Sequence, residues 1–165
     1  VQRQRLHSSK RQAAQRLASG VLAVLCAFLA GAALALTSQE ADQLLHRADE
    51  VKGVNPTEFS TLMGQLDEQS ATFSPAQQQF LQYLKGWRSA YAGDYARAIP
   101  PLEQIVQESR DVTLRFRASA TIANVQAVAT HYDEAFAQLG RLQTLLPEVT
   151  DKDARQQGLL VIGYL

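Results

Sequence analysis

Four aromatic side chains, Phe80, Tyr83, Trp87 and Tyr91, recur at steps of three, four and four. That spacing lines residues up on one face of a helix. Tyrosine and tryptophan join a large apolar surface to a hydrogen-bonding tip, which suits capture of a peptide or small ligand. Thirty-seven positions further on, Arg117, Ala120, Asn124 and Val128 repeat the spacing. If the two helices stack side by side, Phe80, Tyr83, Trp87, Tyr91, Arg117 and Asn124 form a candidate face for a ligand or partner. The same stripe also reads as core, with its rings packed against Phe59, Leu62 and Leu66.

Other groups with chemical potential stand apart. His7, His46 and His131 lie far from one another in the sequence. Asp49 and Glu50 follow His46 at helical steps, but a metal wants three or four converging ligands, so a solvated helix face is expected there. Asp133, Glu134, Asp151 and Asp153 stand where helices should begin, a place where the helix dipole favours acids. The sequence has no G-x-S-x-G, no Walker loop and no dinucleotide fingerprint. No catalytic residue, no metal and no cofactor is therefore expected, and the chain reads as a binding or structural module.

The elements that must position the candidate face are all helical. Ala41, Leu44, Leu45, Ala48 and Val51 give a first amphipathic helix from about Gln39 to Val51. Asn55-Pro56 opens a second, with Phe59, Leu62, Met63 and Leu66 inward. Ser74-Pro75 with Gln77 is a capping-box start for the aromatic helix, and Gly93-Asp94 ends it and caps the next. That next helix buries Ala98, Leu102 and Ile105, and Pro100-Pro101 predicts that it is kinked or starts late. An alanine-rich helix is predicted over Leu114 to Thr130, small enough in side chain for close neighbours. Two more follow, Tyr132 to Leu146 and about Ala154 to Leu165. No stretch alternates long enough for a strand.

Charge divides the chain. Five basic residues (Arg3, Arg5, Lys10, Arg11, Arg16) and no acid precede Glu40, and beyond it 11 Lys/Arg face 16 Asp/Glu, a balance of −5. An acidic body argues against a nucleic-acid partner. The basic leader runs into Val21 to Leu36, sixteen residues without a charge. As a helix these span roughly 24 Å, short of the roughly 30 Å hydrocarbon core of a bilayer. Basic flank, apolar stretch and the small-residue exit at Ala33 and Ala35 fit a secretory signal cleaved after Ala35. An uncleaved membrane anchor is the alternative, and either places the body across the membrane from the leader. Cys26, the one cysteine, reads as a buried, inert thiol. Starting on Val1 and stopping inside an apolar run at Leu165, the sequence reads as a piece of a longer chain.

A repeat emerges from the elements. Gly86, Gly93, Asp94, Tyr95, Ala98 and Leu102 are answered by Ala123, Tyr132, Ala135, Leu139 and Pro147, with 37 residues from Tyr95 to Tyr132. Over roughly Ser74 to Pro147 this resembles the tetratricopeptide repeat, whose helical hairpins stack because one alone cannot bury its apolar face. The resemblance implies an all-α fold: antiparallel helical hairpins stacked as a short right-handed solenoid over residues 37–165, after a signal or anchor helix in residues 1–36. Carboxylate-clamping members use several Lys and Asn residues on the inner face, and only Arg117 and Asn124 fit here.

The whole order of the chain is similar to the amino-terminal sensor region of bacterial membrane proteins that end in a GGDEF diguanylate cyclase domain. The residues carrying this likeness are Ala48-Asp49-Glu50-Val51-Lys52, Ser74-Pro75-Ala76-Gln77-Gln78, Ala90 to Tyr95 and Thr113 to Ala118. It implies a sensory domain on the periplasmic side of the inner membrane, binding a protein or peptide on its concave face. It transfers no catalytic residue, because the chain has no GGDEF sequence. A spacer or homodimerisation module without a ligand is the rival reading.

Overall fold

The computed structural model describes residues 36–165, which form one compact unit. The predicted signal or anchor helix, Cys26 and His7 lie outside the described residues. Among the described residues seven α-helices follow one another: α1 (Ser38–Val51), α2 (Pro56–Gln69), α3 (Pro75–Tyr91), α4 (Tyr95–Glu108), α5 (Val112–Val128), α6 (Tyr132–Leu145) and α7 (Lys152–Tyr164). A single 3₁₀ turn, Ser70–Thr72, follows α2, and the described residues contain no strand. The described residues are all-α, as the periodicity predicts.

Each start has a local cause. The first N–H groups of a helix have no partner within it, and a side-chain oxygen just before it can accept from them. Thr37 and Glu40 close a capping box on α1, and Ser74 and Gln77 close another on α3. Asn55, Asp94, Asp111 and Asp151 cap α2, α4, α5 and α7. Pro56 and Pro75 sit in the first turn, where a missing N–H costs nothing. Gln77 does more than cap. Its side-chain amide donates to the Ser38 carbonyl at 2.9 Å and to Asp42 Oδ1 at 2.7 Å, tying the start of α3 to α1.

Two expectations need correction. The cap at Asp111 starts α5 at Val112, two residues before the predicted Leu114, and the helix ends at Val128 because Thr130 turns to a φ of 65°. The second concerns α4, which does not start late: Asp94 accepts from the Arg97 N–H at 3.2 Å and the helix runs from Tyr95 through Pro100 and Pro101. The carbonyls those prolines leave without an N–H belong to Ala96 and Arg97, both exposed, so water can serve them.

Hairpins α1–α2, α3–α4 and α5–α6 pack internally, and the first members also pack in a row, α1 on α3, α3 on α5 and α5 on α7. The caps Thr37, Ser74 and Asp111 stand 37 residues apart, and Asp151 follows 40 later. The described residues thus have a helical-repeat organisation that begins at α1.

Helix α5 is the hinge of the packing. Leu114, Ala118 and Ile122 enter a core shared with α1 to α4, whereas Phe116, Ala120 and Ala123 enter a second core with α6 and α7. A helix buried on opposite sides loses its polar face, which explains the run of buried small residues from Ala118 to Ala120. Two glycines permit the closest approaches. A Cβ at Gly86 would lie 2.8 Å from the Leu102 side chain, and one at Gly158 would lie 2.1 Å from the Phe116 ring.

Candidate functional site

Helices α3, α5 and α7 enclose a groove of about 180 Å³. From α3 come Trp87, Ala90 and Tyr91, with Tyr83 at the floor. From α5 come Arg117, Thr121, Asn124, Val125 and Val128, and α7 adds Gln157 and Val161. Tyr95, at the start of α4, closes one end. Five of the six residues expected on the candidate face therefore line one groove.

Their roles within it differ. Trp87 and Tyr91 stack with centroids 4.7 Å apart and planes 17° from parallel, and Tyr91 is 75% exposed. Asn124 is also exposed. These three present an apolar shelf with an amide beside it.

Tyr83 is 1% exposed and belongs to the first core. Burial pushes its phenol well above the ordinary range, with a hydrogen bond to Thr121 opposing. It supports the groove from beneath and offers little surface. Phe80 lies outside the groove, half-buried against the first core and edge-on to His46 at 5.3 Å. The stripe is thus split: Phe80 and Tyr83 pack inward, Tyr91 faces out, and Trp87 does both, meeting Phe59 edge-on at 5.5 Å.

Arg117 is the largest departure from expectation. Its side chain is 9% exposed, with Nη1 on Asp49 and Nη2 3.3 Å from Asp151 Oδ1. Asp49 also accepts from Lys52 Nζ at 2.7 Å. Two cations and two carboxylates, buried except for the partly exposed Asp151, therefore join α1, α5 and the cap of α7. Buried ions must be paired because their loss of hydration is costly, so Arg117 is committed to structure, and its Nε has no partner. Burial pushes the Lys52 ammonium down to about 8, with Asp151 pulling the other way. Its Nζ lies 5.8 Å from the centre of the Trp87 ring. Burial alone would raise the Asp151 carboxyl, but the Ala154 N–H and the Arg117 guanidinium outweigh it and hold it low.

The sequence reading missed Tyr95, Thr121, Gln157 and Val161. A signal for the last two exists. Counted from their caps, Gln157 and Val161 occupy the places in α7 that Arg117 and Thr121 occupy in α5.

Among the described residues no group of three His, Cys, Asp or Glu could hold a metal ion, and no helix is long and apolar enough to cross a membrane. No family model matches the chain, and neither does any curated protein or solved structure.

Proposed function

We propose that residues 36–165 form a tetratricopeptide-like, right-handed helical array that binds a peptide or a segment of a protein in the groove between α3, α5 and α7. The observation that carries this reading is the stack of half-buried Trp87 on exposed Tyr91 beside Asn124, over a cavity large enough for one or two side chains. Charge supports it too, since the one guanidinium in the groove is already paired and leaves an apolar, amide-flanked surface. The repeat motifs and basic leader favour an exported sensor, the input half of a membrane-bound GGDEF signalling protein on the periplasmic side. A gene encoding a GGDEF motif beyond Leu165 is the outcome expected of that assignment; a stop codon there removes it.

The binding reading is tested with Trp87→Ala and Asn124→Ala. Each should weaken binding of a captured partner at least ten-fold. Asn124→Ala should leave the melting temperature within a few degrees, and Trp87→Ala, which also removes a ring packed on Phe59, is compared well below its own lowered melting transition. Unchanged affinity in both variants would sink the assignment of this face.

A second reading, homodimerisation, is favoured by Leu159, Leu160 and Tyr164, apolar residues exposed on α7. Light scattering of the chain across a concentration series decides it: a tight dimer with no ligand-induced shift in melting supports the spacer role.

A further inference from the structure

The groove does not end at Arg117. A second cavity of about 300 Å³ shares Arg117 and Gln157 with it as a common wall and is lined further by Glu50, Asp153 and Gln156. The two halves differ in chemistry. The first is aromatic and amide-lined, and the second carries an excess of carboxylates. Of the charges around the second half, Lys52 and Arg117 are balanced by Asp49 and Asp151. Glu50 and Asp153 remain. Glu50 lies 3.3 Å from Arg47, but Arg47 is also held by Glu58 at 2.8 Å, so these three carry a net negative charge. Asp153 is exposed and has no ion-pair partner among the described residues.

We infer that the preferred occupant is a peptide segment in which an apolar residue is closely followed or preceded by a basic one. The apolar side chain lies on Trp87 and Tyr91, and the cation lies between Glu50 and Asp153. The inference rests on the groove reading above and adds the charge of the ligand. An acidic segment is disfavoured, because the guanidinium and ammonium that would receive it are already occupied and buried. A neutral segment gains the apolar contact alone. The carboxylates are exposed, so their contribution is modest and falls as salt screens it.

Trp87 is the only tryptophan in the chain, so its emission reports directly on the groove. The whole chain is titrated with two capped tetrapeptides that share two central aliphatic residues, one ending in arginine and the other in glutamine. Both should shift Trp87 emission, with the arginine peptide binding about three- to five-fold more tightly at low ionic strength. The gap should close at high salt and in the double variant Glu50→Gln, Asp153→Asn, whose helical content and melting are checked by circular dichroism. Equal or weaker binding of the arginine peptide overturns the charge preference and leaves the groove standing. If neither peptide alters Trp87 emission or releases heat in calorimetry, the groove reading fails, and this inference fails with it.

Discussion

Hairpins α3–α4 and α5–α6 are built on one plan 37 residues apart, and at matched positions they solve the same problems differently. The first turns through Gly93 at a φ of 79°, and the second forces Thr130 to 65°. Asp94 caps α4 with its carboxylate, whereas His131 makes no side-chain bond to α6 and instead meets Gln126 at 3.0 Å. Gly86 lets Leu102 approach closely, and Ala123 stands in its place opposite Leu139. Phe80 packs by apolar contact where Arg117 uses two carboxylates. The backbone path is specified by the pattern of apolar positions, so a locally poorer turn survives when enough core is buried behind it.

The largest contrast lies at Phe80 and Arg117. Arg117→Ala would leave Asp49 with Lys52 as its remaining cation, its second oxygen without a donor and the tie to Asp151 broken, and should cost about 2–4 kcal/mol. Phe80→Ala removes a half-buried ring and should cost clearly less, about 1–2 kcal/mol. Urea unfolding of both variants checks the order, and equal losses would show that the ion network is not needed to hold α5. Next comes the close approach. Gly86→Ala should destabilise by about 1–3 kcal/mol, because Leu102 must shift or leave its rotamer. In the second hairpin Ala123→Gly should cost only about 0.5–1 kcal/mol, from helix propensity and a lost methyl.

The turns should respond in opposite directions. Thr130→Gly relieves a β-branched residue of a left-handed conformation and should stabilise the chain by about 1 kcal/mol, and Gly93→Thr should destabilise it by a similar amount. The smallest effect is expected at the cap. His131→Asp gives α6 an acceptor like that of α4 and should add about 0.5 kcal/mol, the gain held down by neighbouring Asp133 and Glu134 and by the lost contact with Gln126. A destabilised His131→Asp would show that the His131–Gln126 bond, and not the missing cap, organises that turn.

Much of the fold was legible because helices advertise themselves locally. Asn55-Pro56, Ser74-Pro75 with Gln77, and Gly93-Asp94 mark boundaries through hydrogen bonds formed within four residues, so no knowledge of distant contacts is needed. The inward residues of α2, Phe59, Leu62, Met63 and Leu66, are all buried as their spacing predicts. Three features were harder to read. Pro100-Pro101 suggested a late start to α4, since the cost of a proline depends on whether water can reach the freed carbonyls. The predicted end of α5 ran into Thr130, since nothing in a threonine announces a left-handed turn. The repeat was read from Ser74 onward, although the cap spacing extends it back to Thr37.

For the candidate site the division is sharper. Sequence alone determined that the aromatic stripe shares one helical face and that Asn124 falls at the matching place one repeat later, because both follow from helical periodicity. Only the tertiary structure decided which members face outward. Tyr91 is exposed and Tyr83 sealed although they lie eight residues, about two turns, apart: Tyr83 meets Thr121 of α5 and lies under Lys52 at the end of α1, whereas Tyr91 stands at the open groove. It alone decided the role of Arg117 as well. A guanidinium drawn on a helix face looks available, but Asp49 and Asp151 come from helices distant in sequence, and their convergence turns it into a buried tie between α1, α5 and α7.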